Sequence, residues 1–330
     1  MTPLEVGLAG TGAFAARTAE AIASSPDVRL TSVCSRDPER ARAFAAEHGG
    51  VAYADVAEMA RASQAVIIAG ATGRHEPDSL AALATGTPVL CEKPMATTQA
   101  GVQRVVDAAR EAGTFLIEGY WTCHLPAWQA AKARVRSGQI GTPQRLRADF
   151  GIATPREEAP RVWSEDDGVL RDRGVYVVCL ALWTLGPATL READVTRRDG
   201  IDAEASLILD HEDGAVSHLR CSMLRTTANH GVIEGSEGGL TLRTPLLGST
   251  SLADRADRTR DAGMGNKLVR KTRTLAGRIG AERHPYGADQ YHPQLAHLAR
   301  QIRDGASQSS VVPHALSLGG ARIIDEARAA

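Results

Sequence analysis

The residues best equipped for chemistry close a short apolar run, Val89-Leu90-Cys91-Glu92-Lys93-Pro94. An apolar stretch that stops on an acid, a base and a proline reads as a buried strand ending at a charged pair, because proline lacks the amide the ladder would need next. In an open α/β sheet, ligands gather at the carboxyl ends of the strands. A lysine there reaches a cofactor on one side and a substrate on the other, so Lys93 is the expected reaction centre. The plainer alternative is a surface lysine paired with Glu92. Lys93-Pro94 is also a candidate cis peptide, an isomer that proline makes accessible.

A second segment names what such a lysine would work beside. The apolar run Leu4 to Ala9 leads into Gly10-Thr11-Gly12-Ala13-Phe14-Ala15, followed by an alanine-rich helix. This is G-x-G-x-x-A in its required setting, after a strand and opening a helix. Gly10 permits a tight turn, Gly12 lets the backbone approach a pyrophosphate, and Ala15 allows helix and strand to pack closely. The helix start then offers free N–H groups and its positive dipole end to the phosphates. Thr11 and Phe14, inside the turn, are assigned to the same site.

The strand Val28 to Cys34 ends in Ser35-Arg36-Asp37-Pro38. An NAD site usually carries an acid here for the ribose 2′-hydroxyl, whereas Arg suits a 2′-phosphate. Ser35 and Arg36 therefore favour NADP, while Asp37 keeps NAD open. Alternatively, Ser35 caps the next helix and Arg36 is solvated.

The elements that must position these residues alternate. Helix, strand and turn signals repeat through Gly70-Ala71-Thr72-Gly73-Arg74-His75, the lysine-bearing strand, the helix from Thr97 to Ala112, and a sixth strand, Phe115 to Glu118. Strands alternating with helices imply a doubly wound parallel sheet, hence a Rossmann domain over residues 1–121. From residue 122 the pattern changes to an apolar helix from Arg173 to Leu185 and several period-two strands, with a hairpin signal at Asp213-Gly214. Residues 122–330 therefore read as an α+β domain around a large, mostly antiparallel sheet, the final helix packing back toward the first domain.

Composition narrows the partners. A net charge of −1 gives no reason to expect nucleic acid or an anionic membrane surface. Five scattered cysteines, none in a C-x-x-C pair, argue against disulfides and thiolate zinc and for the cytoplasm. No signal peptide is read at the start, and no run approaches the roughly 18 apolar residues of a membrane span. The histidines show no metal-ligand spacing, so no metal is expected. A basic stretch between Arg255 and Arg283 reads as a solvated excursion rather than a phosphate or partner surface.

Taken together, G-x-G-x-x-A, Glu92-Lys93-Pro94 and Glu118-Gly119-Tyr120-Trp121 with Pro126 resemble the glucose–fructose oxidoreductase/inositol dehydrogenase (Gfo/Idh/MocA) family. Gly168-Val169-Leu170-Arg171-Asp172-Arg173-Gly174-Val175-Tyr176 resembles its G-x-L-x-D-x-G-x-[HY] segment. The match extends through Glu234 to Leu240 and from Tyr291 to Ala327. The chain departs where many members carry Arg and it has Cys123. Tyr176 followed by Cys179 resembles the branch with dimeric dihydrodiol dehydrogenase and NADP-linked aldose dehydrogenases.

The resemblance implies an NADP-preferring oxidoreductase that moves a hydride between the nicotinamide and a sugar or cyclic-diol carbon. It assigns proton exchange to Tyr176, which needs an adjacent cation such as Lys93 to favour its phenolate near neutrality. Asp172 would orient substrate. Ala71, Thr72, His75, Glu92, Lys93 and Trp121 would line the cofactor, although His75 equally suits a cap, and Trp121 and Tyr176 equally suit packed aromatics. It also implies a homodimer or homotetramer. The competing functions are a glycoside hydrolase using tightly bound NAD and a non-catalytic NADP sensor.

Overall fold

Six short apolar runs pair as parallel strands in the computed structural model, which describes residues 2–255 and 281–330. They are β1 (Leu4–Ala9), β2 (Val28–Cys34), β3 (Val51–Tyr53), β4 (Ala65–Ile68), β5 (Val89–Cys91) and β6 (Leu116–Glu118). Their spatial order is β3-β2-β1-β4-β5-β6, so the chain reverses its winding between β1 and β4. That switch opens a crevice at the carboxyl ends of these two strands. Val66, Ile68, Val89, Cys91 and Leu116 are buried against Val102, Val105 and Val106 of the helix Gln99–Ala112. A sheet covered by helices explains why these strands read as continuous apolar runs rather than alternating ones.

A second sheet follows. Its strands are β7 (Pro143–Gly151), β8 (Ala188–Arg198), β9 (Ile201–His211), β10 (Val216–Ser222), β11 (Gly231–Gly235), β12 (Gly239–Leu242), β13 (Ser251–Arg255) and β14 (Glu282–Arg283). The order is β14-β13-β12-β11-β7-β10-β9-β8, antiparallel throughout except for the parallel pair β7 and β10. Gly214 makes the expected hairpin between β9 and β10, with φ +83°. On β9, the odd-numbered residues from Ile201 to His211 are buried and most of their neighbours less so. One face of the sheet is thus packed and the other open. The helix Val175–Leu185 is buried along its full length and lies on β7 and β10. An all-apolar helix needs that full cover.

The described chain divides into two compact units: Met1–His124 with Gly287–Asp325, and Leu125–Tyr286 with Glu326–Ala330. The break expected at 121/122 therefore shifts to 124/125, and residues 287–325 join the first unit. Among the described residues two peptides are cis, Lys93-Pro94 and Thr244-Pro245, the former as expected. Most of the basic stretch, residues 256–280, lies outside the described residues.

Candidate active site

The glycine turn is built by two glycines with different reasons. Gly10 has φ +130°, and a Cβ there would come within 2.6 Å of the Ala69 carbonyl oxygen. Only glycine lets β1 turn so close to the end of β4. Gly12 has an ordinary φ of −88°, and a Cβ there would meet nothing within 4 Å. The protein's own atoms leave that space open. Helix Ala13–Ala23 starts there without a side-chain cap, and Gly12, Ala13 and Phe14 are exposed. Its first N–H groups point into open space with the dipole's positive end behind them, which fits a pyrophosphate. Ala15 is fully buried, as close helix packing requires.

At the end of β2, Thr11 Oγ1 donates to Ser35 Oγ across 3.5 Å, joining the two turns. Ser35 is not the helix cap. Asp37 fills that role for helix Pro38–His48, its Oδ1 accepting from the amides of Glu39 at 2.9 Å and Arg40 at 3.3 Å. Arg36 is exposed beside it. After β4, Ala71 is exposed and precedes the short turn Thr72–Arg74, in which Thr72 is buried. His75 is buried, with Nδ1 2.8 Å from the Pro94 carbonyl oxygen and Nε2 3.2 Å from that of Gly70. Its ring ties this turn to the Lys93-Pro94 turn, a framework contact of the capping kind.

Around Lys93, which is half-buried, stand two buried acids. Glu92 is 6% exposed and Glu118 2%. Glu92 Oε2 accepts from the Lys93 amide at 3.3 Å, and Glu118 Oε1 from the Met95 amide at 2.8 Å. Burial pushes the Glu92 carboxyl up to about 8, with Glu118 adding to the rise and the Lys93 charge opposing it. Burial likewise raises Glu118, against the hydroxyl of Ser317 and the Met95 amide.

Above about pH 4.5 the unfolded chain has released the Glu92 proton that the folded chain keeps. The folded state then binds more protons, so stability falls as pH rises from about 4.5 to about 8. A falling Tm across that interval, flattened in Glu92→Gln, is the expected result of pH-resolved thermal unfolding. His297 acts oppositely. Burial and Arg300 lower it from 6.5 to about 4, so its contribution is lost as pH falls through that range.

Trp121 is buried, with its ring centroid 5.2 Å from that of Tyr291. Tyr291 meets Phe14 edge-on at 6.0 Å and lies 5.0 Å beneath the Arg17 guanidinium, which pairs with Asp289. Burial pushes its phenol up to about 12, with the charge of Glu92 contributing. Tyr291 thus joins the glycine turn to the Glu92 side of the site. Its remoteness in sequence left no local signal of that. Cys123 is wholly buried.

In the second unit, Asp172 lies in a wide π-type turn, Leu170–Gly174, that runs directly into helix Val175–Leu185. Arg161 donates to its Oδ1 at 3.3 Å, and Arg173 Nε lies 3.6 Å from Oδ2. Arg173 is itself buried and donates to the carbonyls of Ile152 and Ser222. Tyr176, 6% exposed, meets Phe150 edge-on at 6.0 Å. Asp202 fixes the approach: its Oδ2 accepts from the Leu170 amide at 2.7 Å and its Oδ1 from Arg328 at 2.7 Å. A Cβ on Gly168 would lie 2.6 Å from the Asp202 carboxyl carbon, which explains glycine there. Among the described residues, no group of three or more His, Cys, Asp or Glu is arranged to hold a metal.

A glycine turn on an uncapped helix at the switch point of a doubly wound sheet is the arrangement of a dinucleotide-binding protein. Residues 4–120 match the family model described as oxidoreductase family, NAD-binding Rossmann fold, and residues 128–241 match the GFO/IDH/MocA C-terminal domain. The chain is 31% identical over 71% of its length to the scyllo-inositol 2-dehydrogenase (NADP(+)) IolU of Bacillus subtilis, covering 74% of that protein. It is 28% identical over 99% of its length to the trans-1,2-dihydrobenzene-1,2-diol dehydrogenase of Mus musculus, covering 96% of it. Its fold matches that of KijD10, a 3-ketoreductase of Actinomadura kijaniata in complex with NADP and TDP-benzene, at TM-score 0.81, 22% identity and 99% and 97% coverage of the two chains. This chain belongs to the Gfo/Idh/MocA family and is an NAD(P)-dependent oxidoreductase.

Proposed function

We propose that the protein is an NADP-preferring dehydrogenase or reductase acting on a CH–OH carbon of a sugar or cyclic diol. Lys93 follows β5 at the same carboxyl end of a parallel sheet as the uncapped glycine turn after β1, and this observation carries the reading. Gly10, Thr11, Gly12, Phe14 and Ala15 would hold the pyrophosphate, and Ser35 and Arg36 the 2′-phosphate. The commitment of Asp37 to capping supports NADP over NAD, as does the NADP(+) named for IolU.

A bound nicotinamide supplies the hydride acceptor or donor. Tyr176 exchanges the hydroxyl proton, Lys93 presents the positive charge that favours its phenolate, and Asp172 orients the substrate. The bracketing of Asp172 by Arg161 and Arg173 supports its role, since it fixes the carboxylate in the turn that leads into the helix of Tyr176. Absorbance at the reduced-nicotinamide band across a panel of aldoses and diols, with both cofactors, tests the reading. Turnover without net nicotinamide change would point to the hydrolase instead. Binding without turnover would point to the sensor.

Arg36→Ala should weaken NADP by roughly 10- to 100-fold, the size of a lost charge-assisted contact, and leave NAD nearly unchanged. Fluorescence titration with both cofactors measures this, and equal losses would remove Arg36 from the 2′-phosphate.

The open face of the second sheet carries Arg147, His218, Arg220, His230 and Arg255 around a shallow concavity. Together with Glu204 and Glu234 it forms a mixed-charge surface suited to a second copy, so a homodimer or homotetramer is part of the proposal. Light scattering coupled to size exclusion tests it. Among the described residues, no helix is long and apolar enough to cross a membrane. All five cysteines are buried and none is in a disulfide, which suits the cytoplasm.

A further inference from the structure

The last residues of the chain, 326–330, belong to the second unit and close the helix His314–Ala329. Arg328 there has three acceptors. Its Nη1 donates to Asp202 Oδ1 at 2.7 Å and to the Asp167 carbonyl oxygen at 2.9 Å, and its Nη2 to the Glu165 carbonyl oxygen at 3.2 Å. A cation that served only its own helix end would face the last carbonyls of that helix. Arg328 instead faces the loop that leads to Asp172. Arg197 of β8 donates to the Arg328 carbonyl oxygen at 2.8 Å, which ties the helix end to the sheet.

Asp202, on β9 and 3% exposed, passes the contact on, because its Oδ2 accepts from the Leu170 amide at 2.7 Å where the turn Leu170–Gly174 begins. Arg161 holds the same loop elsewhere, 3.1 Å from Asp167 Oδ2 and 3.3 Å from Asp172 Oδ1. A planar guanidinium presents several fixed donors and can hold two carbonyls and a carboxylate at once, which an ammonium cannot match. Without it, Asp202 would be a buried carboxylate stripped of its cation. Such a group moves or admits water, and the Leu170 amide then loses its acceptor.

We propose that Arg328 is a positioning residue for the reaction: through Asp202 and the carbonyls of Glu165 and Asp167 it fixes the turn that carries Asp172 and opens the helix of Tyr176. This rests on the roles proposed above for those two residues. Arg328 touches no reacting atom. It sets where the carboxylate and the phenol stand, and a misplacement of about 1 Å in such groups costs on the order of 100-fold in rate. The seat proposed for the cofactor uses none of these residues, so the loss falls on turnover and not on cofactor binding.

Two measurements on the full-length protein decide the matter. In the wild type, native-state hydrogen exchange should show residues 164–172 and 326–330 opening together. Protection of 164–172 that outlasts the opening of the helix end overturns the proposal, whether or not any variant folds. Arg328→Ala should lower kcat for trans-cyclohexane-1,2-diol with NADP by roughly 10- to 100-fold, while Kd for NADP stays within about twofold. Guanidinium added below its denaturing range should restore part of that kcat, because the Arg328 side chain is 23% exposed and its vacated place opens to solvent. A purely structural arginine would lower Tm, leave kcat of the folded protein near wild type and show no rescue, and that result also overturns the proposal. Absence of any wild-type turnover of the diol panel counts against the proposed function instead, and leaves hydrogen exchange to judge Arg328.

Discussion

Replacing Lys93 by alanine or Tyr176 by phenylalanine is expected to lower kcat by about 100- to 10,000-fold, the range for losing a positioned acid–base group. Cofactor Kd should change far less, because the pyrophosphate seat proposed here would be built from Gly10, Gly12 and the uncapped helix start rather than from either side chain. The double variant is the sharper measurement. If Lys93 acts by sustaining the tyrosine phenolate, then once the phenol is gone the lysine has little left to do. The double variant should therefore be nearly as active as the worse single one. Multiplying losses would mean that the two residues act independently, and near wild-type kcat in both single variants would remove them from the chemistry. Tyr176→Phe is the cleaner probe of the two. It keeps the ring against Phe150, 6.0 Å away, and deletes only the hydroxyl.

What the sequence made legible was local. Strands of the first sheet are unbroken apolar runs punctuated by glycine and proline, and glycine positions follow from φ and close approach, as at Gly10. The E-K-P turn was recognisable because proline ends a ladder and charges end a buried run. Features that depend on distant partners left no such trace. β8 (Ala188–Arg198) escaped notice because its residues are mostly half-buried or exposed and rich in Arg, Glu and Asp, so no apolar period stands out. The short helix Val56–Arg61, capped by Asp55, was missed for its length.

Residues 287–325 join the first unit through contacts such as His314 Nε2 to the Leu116 carbonyl at 3.2 Å and the Gln99 amide to Asp325 at 2.7 Å, across roughly 200 positions of chain. Tyr291 enters the candidate site by the same route. At Ser35-Arg36-Asp37, two residues had the chemistry of a cap, and the proline at the next position decided it. A helix beginning at Pro38 makes Asp37 the cap.

The two glycines of the turn offer the second large effect, because they should fail in opposite ways. Gly10→Ala forces a φ of +130° on an L-residue and drives a methyl to within 2.6 Å of the Ala69 carbonyl. Such strain and overlap together cost about 3 kcal/mol or more, so Tm should drop by roughly 6–12 °C, with cofactor binding lost as a consequence of the damaged turn. Gly12→Ala places its methyl where no protein atom lies within 4 Å, at an ordinary φ. Its Tm should stay within about 2 °C of wild type, while Kd for NADP rises by at least about 10-fold, since the methyl enters the space a pyrophosphate needs. Calorimetry and cofactor titration on the same two samples separate the cases. A Gly12→Ala protein that kept full affinity would mean that the phosphates lie elsewhere, and the helix start would lose its assignment. Intact stability with lost binding would tie Gly12 to a ligand rather than to the fold, because the protein leaves that space to nothing of its own.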